Sequence, residues 1–566
     1  MPNDWRSTLD AGVDLGERLG ASIDSALTRH PWVSPGALSL AFLAGAMTKA
    51  RQCPLWNDEV LTRYVASLPG IGAIWQALAD HAESSPPLFH LATRLSAAPL
   101  GWTELGLRLP SIAGYLTMML CCYFIVKRYT GPLYASIAAL AAYLTAAPAY
   151  AVQARPYGPL LGLSCLALVC WRMAARYRLR ALALAGLALT LAATLGMHYY
   201  AFLSFGALGF GEIVRTWRQR RVDWPVWVAF ALAAVPAVFL LPLVRSNLAL
   251  RSGFFSPATL SNFLGETTTL YLYLGGVPWL LFALGAGACA AVFGQRQAQP
   301  AADQSEGPPI HEVAAWLVLL LAPVEAFIAG KLVTGVFVSR YAIVTIIGFS
   351  TLLPLGLARL FRGSRAAALV SLLILIPCFG GRYAVKCRTE DPRSSLVPGL
   401  ESAASRLPVV VVNPLTYLPL AYYAGPELGD RIVYMADPKQ ALRYTGNNSA
   451  DYSLAGLRGR APLNLPGYAE FTGSHRQFLV LWESTPLGWI TPKLLDAGAE
   501  LRVCRIMGAR VLFLASFSQK TQPAGDQGPA SATDAACREN GLPDRSDLPH
   551  PPDGPAGPAG PAGNGR

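Results

Sequence analysis

Leu55-Trp56-Asn57-Asp58-Glu59, followed by Ser84-Ser85-Pro86-Pro87-Leu88-Phe89-His90, lies between a first apolar run and a long series of apolar runs that begins near Arg108. It places an acidic pair in a loop at a membrane surface. No Lys or Arg adjoins the pair in sequence, so its carboxylates are read as available for general-base work or for holding a cation. A second reading stays open on local residues alone: Asp58 starts a helix running from about Glu59 to Ala79, because Asn and Asp are favoured at helix N-termini.

The rest of the chain supplies the membrane. Its 566 residues are 53% hydrophobic and only 14% charged, and the mean hydropathy is +0.36. That composition excludes an ordinary soluble protein and points to a polytopic α-helical membrane protein. Apolar runs span residues 35–50, 109–126, 133–152, 157–174, 181–197, 199–213, 224–244, 270–293, 313–333, 336–361 and 366–384. At about 18 to 25 residues per crossing they make about eleven transmembrane helices, the first and sixth being short. Residues 1–31 are polar and mixed in charge and lack the layout of a signal peptide, so they are expected to stay on the chain in the cytoplasm.

Basic residues fall in every second loop: Lys127 and Arg128; Arg172, Arg176, Arg178 and Arg180; Arg215, Arg218, Arg220 and Arg221; Arg296; then Arg359, Arg362 and Arg365. The positive-inside rule makes those loops cytoplasmic. The Asp58 loop (residues 51–107) and everything after Ala384 are then expected outside. The net charge of +12 is thereby assigned to topology and headgroup contact, not to nucleic acid.

The outer ends of the spans carry Gln153-Ala154-Arg155-Pro156-Tyr157, His198-Tyr199-Tyr200 and Ser339-Arg340-Tyr341. Taken singly, each reads as an interfacial anchor. As a set on one side, converging with Asp58, they read as a site, because ionisable groups at such depth are expensive and usually face a cavity or a partner. No Cys/His metal spacing and no Walker or dinucleotide glycine loop is found, which disfavours a nucleotide-sugar donor and an ATP-driven transporter. The Arg245 to Leu270 loop, with Gly253 and Pro257, reads as a candidate mobile loop.

Residues 386–518 change character. Apolar runs at 409–412, 431–434, 478–482, 501–504 and 510–514 alternate with helix-like segments at 438–444 and 491–499. This reads as a small extracytoplasmic α/β domain with a structural or acceptor-docking role. Of ten cysteines, those in spans read as small apolar groups, and a Cys387–Cys504 disulfide is a hypothesis for the oxidising side. The Pro/Gly/Ala-rich tail, residues 519–566, reads as disordered.

The order Trp-x-Asp-Glu (Trp56 to Glu59), Ser-Pro-Pro-Leu-Phe-His (Ser85 to His90), Leu-Arg-Leu-Pro-Ser (Leu107 to Ser111), Ala-Arg-Pro-Tyr-Gly (Ala154 to Gly158) and Met-His-Tyr-Tyr (Met197 to Tyr200) resembles the type C membrane glycosyltransferases. It is most similar to the bacterial branch related to protein mannosyltransferases and to the lipid A aminoarabinose transferase. The resemblance implies a transmembrane glycosyltransferase domain over residues 32–385, working on the outer face of the bacterial inner membrane. It implies inverting transfer of a sugar from a polyprenyl-phosphate carrier to an envelope glycan, lipid or protein. Asp58 matches the general base, with Glu59 orienting the acceptor or helping to hold a cation. Arg155, then Arg340, then Arg108 are the candidates for the donor phosphate, and His90, His198, Tyr199, Tyr157 and Tyr341 for the sugar or acceptor cleft. No cofactor is assigned; a divalent cation at Asp58 and Glu59 stays open. Two other readings are carried: a transporter or flippase of lipid-linked substrates, and a catalytically silent partner in envelope assembly.

Overall fold

The computed structural model describes residues 4–175, 179–248, 256–271, 282, 285, 307–384, 387, 390–394, 396–401 and 406–517. They fall into two compact units, Met1–Glu390 and Asp391–Arg566.

The first unit is built of helices: α1 (Asp4–Arg29), α2 (Val33–Gln52), α3 (Asn57–Ser67), α4 (Gly70–Ala79), α5 (Pro87–Leu100), α6 (Glu104–Lys127), α7 (Pro132–Leu140), α8 (Tyr157–Ala174), α9 (Arg180–Met197), α10 (Phe202–Gln219), α11 (Trp224–Leu248), α12 (Leu260–Tyr271), α13 (Ile310–Leu320), α14 (Ala322–Ala329), α15 (Thr345–Leu360) and α16 (Arg365–Ala384). Among the described residues five helices (α6, α8, α9, α11 and α16) are long and apolar enough to cross a membrane. The α13 pair with Ala322–Thr334, bent by 53°, makes a sixth if taken as one span.

Several apolar runs are therefore not single helices. Residues 133–152 form α7 and then two 3-10 turns, Ala141–Leu144 and Ala147–Val152. Pro148 lies in the second turn and cannot donate to a helical ladder. The broken backbone is buried, where non-helical segments are tolerated if their carbonyls find partners. Arg382 of α16 supplies them, donating to the carbonyls of Tyr143 (3.3 Å) and Thr145. The run 336–361 is α-helical only from Thr345, after a 3-10 turn at Ser339–Ala342. The single helix expected from Glu59 to Ala79 is split into α3 and α4 at Pro69, with Leu68 extended as pre-proline residues tend to be. The 270–293 run past Tyr271 and the tail 519–566 lie outside the described residues, apart from positions 282 and 285.

The polar N-terminal segment forms α1, whose Glu17 carboxylate accepts from the Arg365 and Ala366 backbone N–H groups at 3.2 and 3.3 Å. A carboxylate there satisfies free donors in the first turn of α16. At the end of α8 remote from Asp58, Arg172 pairs with Glu312 at 2.7 Å, and Arg215 pairs with Glu212 at 2.9 Å and Asp223 at 3.0 Å.

Cys387 bonds to Cys53, with the Cα atoms 5.3 Å apart, and not to Cys504. The ends of α2 and α16 lie side by side, the Lys49 ammonium donating to the Arg382 carbonyl at 2.7 Å. This brings together cysteines 334 positions apart. Cys53→Ser is expected to lower stability by about 2–5 kcal/mol, read as a fall in Tm of the detergent-purified protein. An unchanged Tm would show that the bond adds nothing to the fold.

The second unit contains a five-stranded sheet in the order β2-β1-β3-β5-β4, with β1 (Val409–Val411), β2 (Ile432–Val433), β3 (Gln477–Glu483), β4 (Ala499–Met507) and β5 (Arg510–Phe517). β2, β1 and β3 are parallel, while β5 is antiparallel to both β3 and β4. The tight β4–β5 turn uses Gly508 at φ +62°, a conformation that glycine takes without a Cβ penalty. Every apolar run noted in this region falls on a strand. Asp451 is buried at the carboxyl end of β2, accepting from Tyr434, Trp489 and the Asp437 N–H. Burial pushes its carboxyl up to about 7 against those donors.

Candidate active site

The first turn of α3 presents the two acids to different surroundings. Glu59 is 1% exposed. Its Oε1 accepts from Arg108 Nε at 2.7 Å and from the Ala154 N–H at 2.6 Å. Its Oε2 accepts from Arg108 Nη2 at 2.6 Å and from the Trp56 N–H at 3.3 Å. The helix is thus capped by Glu59, not by Asp58. Arg108 gives its remaining N–H groups to the carbonyls of Ala50, Cys53 and Pro54 at 2.7–2.9 Å. A guanidinium has five N–H donors, and all five are engaged. Arg108 has none left for a phosphate, and Glu59 is neither a free base nor an open cation ligand. Among the described residues no group of three or more His, Cys, Asp or Glu is placed to hold a metal.

Asp58 remains accessible. Its side chain is 19% exposed, with Arg155 Nη2 at 3.6 Å and the Asn57 amide donating at 3.2 Å. Arg155 is fixed from the other side by Glu83, which sequence reasoning did not single out. Arg155 Nη1 lies 2.7 Å from Glu83 Oε1, and Ser85 and Thr62 donate to the same carboxylate at 3.0 and 3.2 Å. The available signal was its position directly before Ser84-Ser85-Pro86-Pro87. Its partner is 72 residues away, beyond any local pattern.

Two of the quoted motifs set the height of Arg155. Ser111 Oγ donates to the Arg155 carbonyl at 2.7 Å. A Cβ on Gly158 would meet the Ser111 carbonyl at 2.3 Å. Only glycine permits this approach of α8 to α6, and the approach holds the Ala154-Arg155 turn against α3.

His90 is fully buried, with its Nε2 3.5 Å from Glu83 Oε2. Burial lowers its pKa, and the nearby Glu83 opposes that only in part. His198 accepts the Tyr200 N–H on Nδ1 at 3.1 Å. Burial first, then the charges of Arg155 and Arg340, push its pKa down to about 3. Both imidazoles are therefore neutral near pH 7, suited to hydrogen bonding and not to charge pairing. The His198 ring sits 5.5 Å from Tyr157 and 5.6 Å from Tyr341.

Arg340 lies against the same wall, its guanidinium 6.0 Å from the Tyr341 ring centre and within electrostatic reach of Asp58. Its Nε is buried without a hydrogen-bond partner. Among the described residues no carboxylate forms an ion pair with it. The structure thus gathers Asp58, Glu83, His90, Arg155, Tyr157, His198, Arg340 and Tyr341 in one place, and it commits Glu59 and Arg108 to each other beneath them.

Residues 84–241 match the family model of dolichyl-phosphate-mannose-protein mannosyltransferase. No curated protein matches the sequence. Among solved structures, ArnT from Cupriavidus metallidurans bound to undecaprenyl phosphate is similar at 12% identity, covering 86% of this chain and 98% of that one, with a TM-score of 0.50. The same protein in the apo state gives 14% identity over the same shares and a TM-score of 0.46. The oligosaccharyltransferase AglB from Archaeoglobus fulgidus, in complex with an inhibitory peptide and a dolichol-phosphate, gives 10% identity over 80% of this chain and 70% of that one, with a TM-score of 0.41. The chain has the fold of the type C membrane glycosyltransferases.

Proposed function

We propose that the protein is an inverting glycosyltransferase that moves a sugar from a polyprenyl-phosphate carrier to a hydroxyl of an envelope glycan, lipid or protein. The observation that carries this reading is an accessible carboxylate, Asp58, within electrostatic reach of a half-buried guanidinium, Arg340, whose Nε is buried without a partner and which forms no ion pair with a carboxylate among the described residues. A cation partly withdrawn from water with no direct ion-pair partner is costly, and a lipid phosphate would supply one.

In this scheme Asp58 removes the proton from the acceptor hydroxyl as its oxygen attacks the anomeric carbon. The bond from that carbon to the phosphate oxygen breaks on the opposite face, so the anomeric configuration inverts. The electron pair leaves with the polyprenyl phosphate, whose growing negative charge is met by Arg340 and, through its edge not held by Glu83, by Arg155. Neutral His198 and the tyrosines around it bind sugar hydroxyls. Glu59 and Arg108 keep the Asp58 turn in place.

The Cys53–Cys387 bond supports an extracytoplasmic position for this end of the bundle, because structural disulfides persist in oxidising compartments. That agrees with the side assigned by the basic loops. A flippase of lipid-linked substrates would use the same arginines but have no use for a base at Asp58.

The experiment is mass spectrometry of envelope glycans and glycolipids from cells lacking the protein, before and after complementation with the intact chain. A sugar-sized mass that returns with the chain supports transfer and gives the sugar class. An unchanged envelope in the deletion strain would remove the enzymatic reading.

A further inference from the structure

Buried polar groups in folded proteins nearly always have hydrogen-bond partners, so a local cluster of orphans calls for an explanation. One such cluster lies beside the candidate site. Both side-chain polar atoms of Asn247, at the end of α11, and the Tyr199 hydroxyl are buried, and none has a partner beyond the contact of the two side chains with each other. The two side chains are neighbours, and Tyr199 also feels the charge of Glu83. The position of Asn247 is fixed by the residue before it: Ser246 Oγ donates to the Ala79 carbonyl at 2.9 Å and lies 3.3 Å from His81 Nδ1. The end of α11 is thereby pinned to the turn that leads to Glu83. Burial raises the Tyr199 pKa, which keeps the phenol a neutral donor.

We propose that Asn247 and Tyr199 form a hydroxyl-reading subsite for the donor sugar. The geometry offers one amide carbonyl, one amide NH2 and one phenol that engage nothing but each other, and their remaining hydrogen-bonding capacity matches neighbouring ring hydroxyls, each of which donates and accepts. Water alone would satisfy their remaining capacity but would not explain why these groups stand beside Glu83 and the Arg155 it holds. A site whose polar groups are left bare by the wrong substrate discriminates strongly. The role assigned to Asn247 is therefore to select among carrier-linked sugars, not to bind the carrier. This inference rests on the transferase reading.

The test measures binding of undecaprenyl phosphate, bare and carrying mannose, glucose or galactose, to the full chain in lipid nanodiscs. In the wild-type protein at least one sugar-bearing lipid is expected to bind about 10-fold or more tighter than the bare lipid, the scale of one or two net hydrogen bonds. Asn247→Leu and Tyr199→Phe should each erase most of that increment and leave the affinity for the bare lipid within about twofold. Tyr199→Phe removes one oxygen and keeps the ring, so it guards against a variant that fails to fold. An increment that survives both substitutions, or its absence in the wild-type protein, overturns the subsite. A full increment in both variants together with a raised KM for acceptor places the pair on the acceptor side and overturns its assignment to the donor. Failure of the wild-type chain to bind the bare lipid is a separate result, which counts against the polyprenyl-phosphate reading itself.

Discussion

Asp58→Asn is expected to leave the protein in the membrane at wild-type abundance and to slow sugar transfer by about 10²- to 10⁴-fold, the usual contribution of a positioned base. The amide has nearly the same volume but cannot take the acceptor proton. The fold should tolerate the change because Asp58 is not a strut. Its side chain is 19% exposed and its ion pair with Arg155 is long, at 3.6 Å, whereas Arg155 is held at 2.7 Å by Glu83. Affinity for the bare carrier lipid should rise or stay level, since one negative charge beside the phosphate site is gone. The measurement is kcat for transfer alongside the Tm of the same preparation. A fall in Tm that accounts for the lost turnover would make Asp58 a structural residue, and an unchanged kcat would return the chain to the transporter reading.

The parts of this arrangement that sequence exposes are those carried by local pattern. Asp58 stands out because an acid in a loop between apolar runs is uncommon, and the strands of the second unit stand out because Val409–Val411 and Arg510–Phe517 are apolar and bounded by turn residues. What local pattern misses is pairing across the chain. Glu59 looks as available as its neighbour until Arg108, 49 residues on, folds onto it. Cys53 has no visible relation to Cys387. Hydropathy also reads through breaks: the run 133–152 stays apolar across Thr145 and Pro148, so nothing in composition marks the point where helix gives way to 3-10 turns braced by Arg382. Asn247 escapes for a related reason. At the end of an apolar span a single amide looks like a boundary residue, and only its lack of partners beyond Tyr199 distinguishes it.

Arg108→Ala tests whether the arginine at the top of α6 holds substrate or holds the fold, and the expected loss is of the fold. Removing one member of a buried ion pair leaves the other charged in a dry site, at a cost of about 3–5 kcal/mol. Glu59 is 1% and Arg108 2% exposed, and the substitution also strips a donor from each of the Ala50, Cys53 and Pro54 carbonyls. Those carbonyls belong to the last turn of α2 and to the segment that links it to the Asp58 turn, so that path should be lost along with the pair. The variant is expected to accumulate poorly, to lose its sharp thermal transition and to show incomplete Cys53–Cys387 oxidation. Arg108→Lys should rescue little, because an ammonium cannot span the two Glu59 oxygens and three carbonyls as a planar fork does. Glu59→Gln combined with Arg108→Met should be less damaging than Arg108→Ala alone, since no charge is then left buried. A phosphate-binding arginine predicts the reverse pattern: a normal Tm for Arg108→Ala, a normal disulfide, and a defect confined to carrier-lipid affinity. That outcome would return Arg108 to the donor site and leave the Glu59 carboxylate free to compete with Asp58 for the acceptor proton.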